Sequence, residues 1–227
     1  MEGSRRRPGL VRAVVLATES LVDDLVSLTA ANLLFGAALL VTIVAAQVHI
    51  VGILLFIPLS LPTAGVMRMA AWHVRRGSVR FSVFIDGLRR WPHVLALATA
   101  QLVAAALLAL DLSIGTAGTD PGSIMLTVAA IYGAAALWIA AVVGWPIVLD
   151  PERDDDPLVS RLRGALVLAL AQPLRCIGIG AIVGLLLAAA AFTVVALLAF
   201  GLALACLVAA HYVLPAADLV EGRMVDD

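Results

Sequence analysis

Between Leu54 and His93 an apolar segment broken by Pro58 and Pro62 gives way to a tract bearing Arg75, Arg76, Arg80, Arg89 and Arg90, and a second apolar segment follows Trp91-Pro92. This pattern leaves few folds open. Crossing the hydrocarbon core of a bilayer takes about 20 apolar residues, and arginine in a short connector is held on the cytoplasmic side during insertion. The stretch therefore predicts a membrane hairpin with its turn in the cytosol, and the remaining segments are placed by counting crossings from that turn. Composition agrees: 63% of residues are hydrophobic, 14% are charged and the mean hydropathy is +1.07, where soluble domains run at roughly 45–50% apolar and about 25% charged. A chain of 227 residues at this composition leaves no room for a large extramembrane domain, so a single helical bundle is expected.

All basic residues are Arg, with no Lys, and the formal net charge is −1. Their clustering, not their sum, is informative. Each tract reads as a solvated anchor facing anionic head groups, worth about 1 kcal/mol per basic residue, and nothing supports nucleic-acid binding. Arg75, Arg76, Arg80, Arg89, Arg90, Arg161, Arg163 and Arg175, with Trp91 as an interfacial belt residue, form the expected contact surface for lipid or a partner protein. Cys176 and Cys206 lie in apolar runs without ligand spacing, so neither a disulfide framework nor a zinc site is indicated.

Arg5-Arg6-Arg7 begins a cytosolic segment, residues 1–24, whose apolar run is interrupted by Arg12, Glu19, Asp23 and Asp24. An unbroken signal-peptide core is absent, and Leu10 to Leu25 reads as an interfacial helix. The transmembrane domain, residues 25–217, starts with Leu25 to about Gln47. Gln47, His49 and Gly52 form a short uncharged outer turn. From Ile50 to Val74 the chain crosses back, and Pro58 and Pro62, bracketing Ser60 and followed by Thr63, should bend or locally unwind this span. Arg68 is close enough to its cytosolic end to snorkel. In the connector at residues 75–92, Phe81, Phe84, Ile85 and Leu88 alternate with Asp86, Arg89 and Arg90 as in a short surface helix.

His93 to about Ser113 crosses outward, with Gln101 midway. The segment from Asp111 to Gly122 lacks Arg and is expected outside. Ile124 to Val148 returns, and the connector at residues 150–173 holds Asp150, Glu152, Arg153, Asp154, Asp155 and Asp156 in what reads as a solvated loop. Leu158, Leu162, Leu166 and Leu170 then predict an interfacial helix ended by Gln172-Pro173. The apolar run from Leu174 to Leu214 is too long for one crossing at 1.5 Å rise, so a turn is expected near Thr193 to Gly201, with the tail, residues 218–227, in the cytosol. The fold class is thus an all-α polytopic membrane bundle of about six transmembrane helices, with short amphipathic interfacial helices on the cytosolic side. It is expected in the bacterial plasma membrane with both termini inside. The sequence of inward span, cytosolic helix, X-Pro step and outward span occurs once through Trp91-Pro92 and again through Gln172-Pro173-Leu174-Arg175, a weak internal repeat related by an axis along the membrane normal.

His73, His93 and His211 map near the cytosolic boundary but lack helical pair spacing, and the acidic loop lacks an EF-hand pattern. No metal or cofactor is expected. Ser, His and acid residues are too scattered for a nucleophilic triad, and Gly178 and Gly180 sit in an apolar span where they permit close helix packing. Asn32 and Gln101 are the polar side chains most clearly at depth, suited either to interhelical hydrogen bonds or to a passage shared with Pro58, Ser60, Pro62 and Thr63.

Asn32-Leu33-Leu34, Leu61-Pro62-Thr63-Ala64-Gly65, Ala70-Ala71, the basic stretch leading to Phe84, Trp91-Pro92 and Gln172-Pro173-Leu174-Arg175 together resemble the YesL-like family of bacterial integral membrane proteins, which often carries Asn-Pro-Leu-Arg at the last position. The chain departs from it in a longer first hairpin and in lacking a proline between the last two spans. The family's function is not established, and it supplies no catalytic residues. Its members commonly lie beside sugar-importer and polysaccharide-degradation genes, so the resemblance implies an accessory role near carbohydrate uptake, with an ABC-type sugar importer as the partner. Non-enzymatic accessory or assembly work is the leading expectation. The alternatives are a small permease using the Pro58 to Pro62 break and a lipid-binding or lipid-modifying protein at the cytosolic interface.

Overall fold

The computed structural model describes residues 9–48, 54–193 and 196–222. Arg5, Arg6, Arg7, His49, Gly52, Arg223, Asp226 and Asp227 lie outside them. The described residues form helices α1 (Leu10–Asp23), α2 (Leu25–Val48), α3 (Phe56–Arg76), α4 (Phe81–Arg89), α5 (Trp91–Ala117), α6 (Pro121–Val148), α7 (Leu158–Ala171), α8 (Pro173–Phe192) and α9 (Leu202–Val220). A 3₁₀ turn at Pro151–Arg153 precedes α7, and a π turn at Leu197–Gly201 leads into α9.

Five helices are long and apolar enough to cross a membrane: α2, α5, α6, α8 and the stretch Ala199–Val220. The bundle is a multi-pass, all-helical, membrane-type fold. Helix α3, with 21 residues, has the length but not the apolarity, because Arg68, His73, Arg75 and Arg76 lie in its second half.

Burial orders the helices. In the Ala199–Val220 stretch 67% of the most apolar window is buried, against 11% in α5 and 17% in α6. Helix α9 is therefore the central post, touched by α1, α2, α3, α6, α7 and α8, while α5 and α6 turn rows of apolar side chains such as Leu107, Leu110, Ile114, Ile131 and Tyr132 outward. An apolar surface of that extent needs hydrocarbon around it.

Local chemistry sets the helix ends. Gly77 closes α3 in the left-handed region at φ 76°, which glycine adopts without a Cβ clash, and its N–H reaches the His73 carbonyl at 2.7 Å. Pro92 and Pro173 occupy the first turns of α5 and α8, where their missing N–H costs nothing. Asp120 caps α6 by accepting from the Gly122 and Ser123 amides.

Several boundaries differ from the sequence expectation. Helix α5 continues to Ala117, so Asp111 is helical and the outer connection shrinks to Gly118–Asp120; no proline intervenes before Pro121, and Gly115 is buried within the helix. Helix α3 runs unbroken through Pro62, so the expected local unwinding is not found. Ser60 Oγ donates to the Ile57 carbonyl at 2.5 Å and Thr63 Oγ1 to that of Leu59 at 3.0 Å, so both hydroxyls are turned back onto their own helix, on carbonyls that flank the Pro58 oxygen Pro62 cannot serve. Helix α9 extends to Val220, past the expected start of the tail at residue 218.

Candidate functional site

Arg68 and Arg75 are two turns apart on α3 and share one face. That face meets α4, the connector after α6 and the end of α9. The Arg68 side chain is 2% exposed. Its guanidinium donates to Asp86 at 3.0 Å, to both Asp154 carboxylate oxygens at 2.9 and 2.6 Å, and to the Leu149 carbonyl at 2.9 Å. Arg75 grips Asp150 at 3.1 and 2.5 Å and Asp218 at 2.6 and 3.0 Å. Arg90, from the α4–α5 junction, donates to Asp154 at 2.5 Å.

Arg153 completes the lattice. It reaches Asp150 at 3.1 Å, Asp218 at 2.9 Å and Glu221 at 2.6 Å, and Asp150 itself is fully buried. Burial works against the charged form of Arg153, but the bond to Glu221 and the charges of Glu221, Asp150 and Asp218 outweigh it and raise its pKa. Arg161, at the start of α7, donates instead to the carbonyls of Val148, Asp154 and Asp156 at 2.6 to 2.9 Å. Burial, then the neighbouring Arg90, lowers its pKa. Bidentate guanidinium–carboxylate pairs are short and directional, so this lattice fixes where α3, α4, α6 and α9 end relative to one another.

This corrects the sequence expectation. The Asp150 to Asp156 loop is not a solvated turn, since Asp150 and Arg153 are buried, and Arg68 does not snorkel. Arg75, Arg90 and Arg161 face inward, while Arg76, Arg80, Arg89, Arg163, Arg175 and Trp91 remain exposed. Arg76 lies over the Trp72 ring at 4.3 Å. The carboxylate half of the lattice was missed. The available signal was Arg68 itself, a charge inside an apolar span that needs a partner.

A second polar group lies beside the lattice. His73 Nδ1 meets Asp24 at 2.6 Å, and His211 Nε2 meets Ser20 Oγ at 2.8 Å, with the two imidazole centroids 6.2 Å apart. Ser20 also donates to the Leu16 carbonyl at 2.8 Å, so His211 Nε2 carries the proton toward Ser20, an assignment from the hydrogen-bond pattern. The carboxylate partners the wrong imidazole for a Ser-His-Asp relay. His93 stays exposed on α5, and among the described residues no cluster of His, Cys, Asp or Glu is arranged to hold a metal ion.

The deep polar residues also have partners. Asn32 Oδ1 accepts from the Ala203 amide at 2.9 Å, just after the π turn, and Gln101 accepts from the Trp145 indole at 3.1 Å. Gln101 borders an apolar groove of about 280 Å³ between α5, α6 and α7, lined also by Leu97, Leu137, Gly144, Leu162 and Leu166. Asn32 is thus bonded to α9 and Gln101 to α6, two separate helix–helix contacts, while Ser60 and Thr63 bond within α3.

The fold and site define a multi-pass membrane protein of helical-bundle type whose helix ends are joined by a buried arginine–carboxylate lattice. Comparison with family models, curated proteins and solved structures gives no match to this chain.

Proposed function

We propose that this chain is a non-enzymatic accessory or assembly protein of the bacterial plasma membrane, with six spans and both termini in the cytosol, working beside an ABC-type carbohydrate importer as its resemblance to the YesL-like family implies. Helix α3 is the sixth span: its last turns project beyond the hydrocarbon, which accounts for their polarity. The six-span count is supported by hydrogen bonds at one end of the bundle, where Asp24 before α2 meets His73 of α3 and Asp218 of α9 meets Arg75. Both ends of the described chain therefore lie on one side, and the arginine bias makes that side cytosolic.

The observation that carries the non-enzymatic, non-transporting reading is the commitment of polar groups. Asn32, Ser60, Thr63 and the buried arginines each bond within the fold, and Gln101, the polar residue at the otherwise apolar groove, is held by the Trp145 indole, whereas a passage or a reaction centre needs several polar groups converging on an open volume. What remains for function is the outer cytosolic surface, where Arg163 and Arg175 are exposed. Affinity capture in mild detergent from the native membrane is expected to recover importer subunits, and a deletion strain is expected to take up sugar more slowly. Solute flux through protein-containing liposomes, altered by Pro62→Ala, would replace this reading with a permease.

A further inference from the structure

We infer that the corner formed by the end of α3, by α4 and by the start of α5 is a binding surface selective for anionic phospholipid of the cytoplasmic leaflet. It rests on the membrane reading of the fold and not on the importer partnership. Helix α4 has two unlike faces. Val83, Phe84 and Gly87 are buried against α3, so closely that a Cβ at Gly87 would come within 2.8 Å of the Gly65 Cα. The opposite face presents Phe81, Ile85 and Arg89 one turn apart, with Phe81 37% and Ile85 40% exposed and Trp91 following at 56%.

Charge around this stripe is one-sided. Arg80 and Arg89 are exposed and make no ion pair among the described residues. The corner's own acid, Asp86, is turned to Arg68 at 2.9 Å and lies 4.0 Å from Arg90. Arg76 caps the corner over Trp72. The apolar stripe is thus flanked by uncompensated guanidiniums, the complement of a phosphate-rich, net-negative head-group layer.

Height selects lipid over a soluble acidic partner. Gly65, where α4 packs, lies about 16 Å of helix rise before Arg76. Helix α4 therefore lies along the flank of α3, with the tip of α3 projecting past it. The stripe ends at Trp91, which opens α5, and on α5 Val103, Leu107, Leu110 and Ile114 are exposed. From Trp91 to Ile114 the helix rises about 35 Å, somewhat more than the hydrocarbon thickness of about 30 Å, so with that row in hydrocarbon Trp91 and the stripe sit at head-group level, where aromatic and arginine side chains partition.

The test uses the full chain in nanodiscs of phosphatidylcholine mixed with phosphatidylglycerol, reading the lipid retained after mild delipidation by native mass spectrometry. Phosphatidylglycerol is expected to be enriched in the retained shell. Arg80→Gln with Arg89→Gln is expected to lower that enrichment about ten-fold or more, and the corresponding Arg→Lys pair to keep most of it. Arg163→Gln with Arg175→Gln, the same charge change on another exposed surface, should alter it less than two-fold. Neither arginine of the first pair makes an ion pair among the described residues, so the thermal midpoint should not move. No enrichment in the wild type, or equal loss in both Gln pairs, would overturn the inference. So would intact enrichment in the Arg80/Arg89 variant with loss of a co-purifying protein, which would assign the corner to a protein partner. Loss of importer capture with lipid selectivity intact would strike the proposed function alone.

Discussion

Asp150 and Asp218 each accept from two guanidiniums, Arg75 and Arg153. Removing one member of such a set leaves the others buried and uncompensated, which costs about 3–5 kcal/mol. Arg153→Ala is therefore expected to lower stability by about that much, read as a large fall in the thermal midpoint in detergent, whereas Arg163→Ala on the exposed side of α7 should change it by less than about 0.5 kcal/mol. At depth, Asn32→Leu strands the Ala203 amide and should cost about 1–3 kcal/mol, again a stability loss with no effect on any solute flux. Asp120 gives a pH signature at the opposite end of the molecule. The Ser123 hydroxyl first, then the Ser123 and Gly122 amides, hold its pKa below the usual carboxylate value, about 3.9. Its folded pKa is the lower one, so its capping contribution is complete above that ordinary value and fades as pH falls through the depressed one. Protection of the Gly122 and Ser123 amides, taken relative to the intrinsic exchange rate at each pH, should fall only in that acid range, and in Asp120→Ala it should be low at every pH.

Among the elements, the α3–α4 contact is the most demanding of size. A Cβ at Gly65 would sit 2.5 Å from the Phe84 ring, while one at Gly87 would meet the backbone of Gly65 and Ala64 at 2.8 to 3.0 Å. Gly65→Ala should destabilise by about 1–3 kcal/mol and be partly rescued by Phe84→Ala, because the obstacle is a side chain. Gly87→Ala should not be rescued by the same change, because its obstacle is backbone; double-mutant melting curves separate the two cases. The existence of α4 and α7 was legible from apolar spacing, and the Pro92 and Pro173 steps marked where α5 and α8 begin. The end of α5 was misplaced because Asp111 resembles a loop residue, although a single carboxylate near a span's outer end is tolerated by helix and interface alike. The closeness of α4 to α3 was not legible, since Gly65 and Gly87 look like any other small residues until two backbones are seen to meet there.

For the whole molecule, the prediction is topological. Single cysteines at Ser78 and Asp155, in a chain whose buried Cys176 and Cys206 are replaced by Ala, should label only from the cytosolic side, and one at Thr119 only from outside. Labelling of Ser78 and Asp155 from opposite faces would contradict both the lattice and the arginine rule. The sequence by itself determined that the chain is a helical membrane bundle, where its apolar segments lie and which connectors share a side. Those properties follow from transfer of each segment into hydrocarbon and from local charge, which are sums over neighbouring residues. Only the tertiary structure decided which arginines turn inward, because pairing Arg75 with Asp218 or Arg153 with Glu221 joins residues far apart in the chain. Whether a guanidinium meets a carboxylate or a head group depends on helix packing that no local pattern encodes.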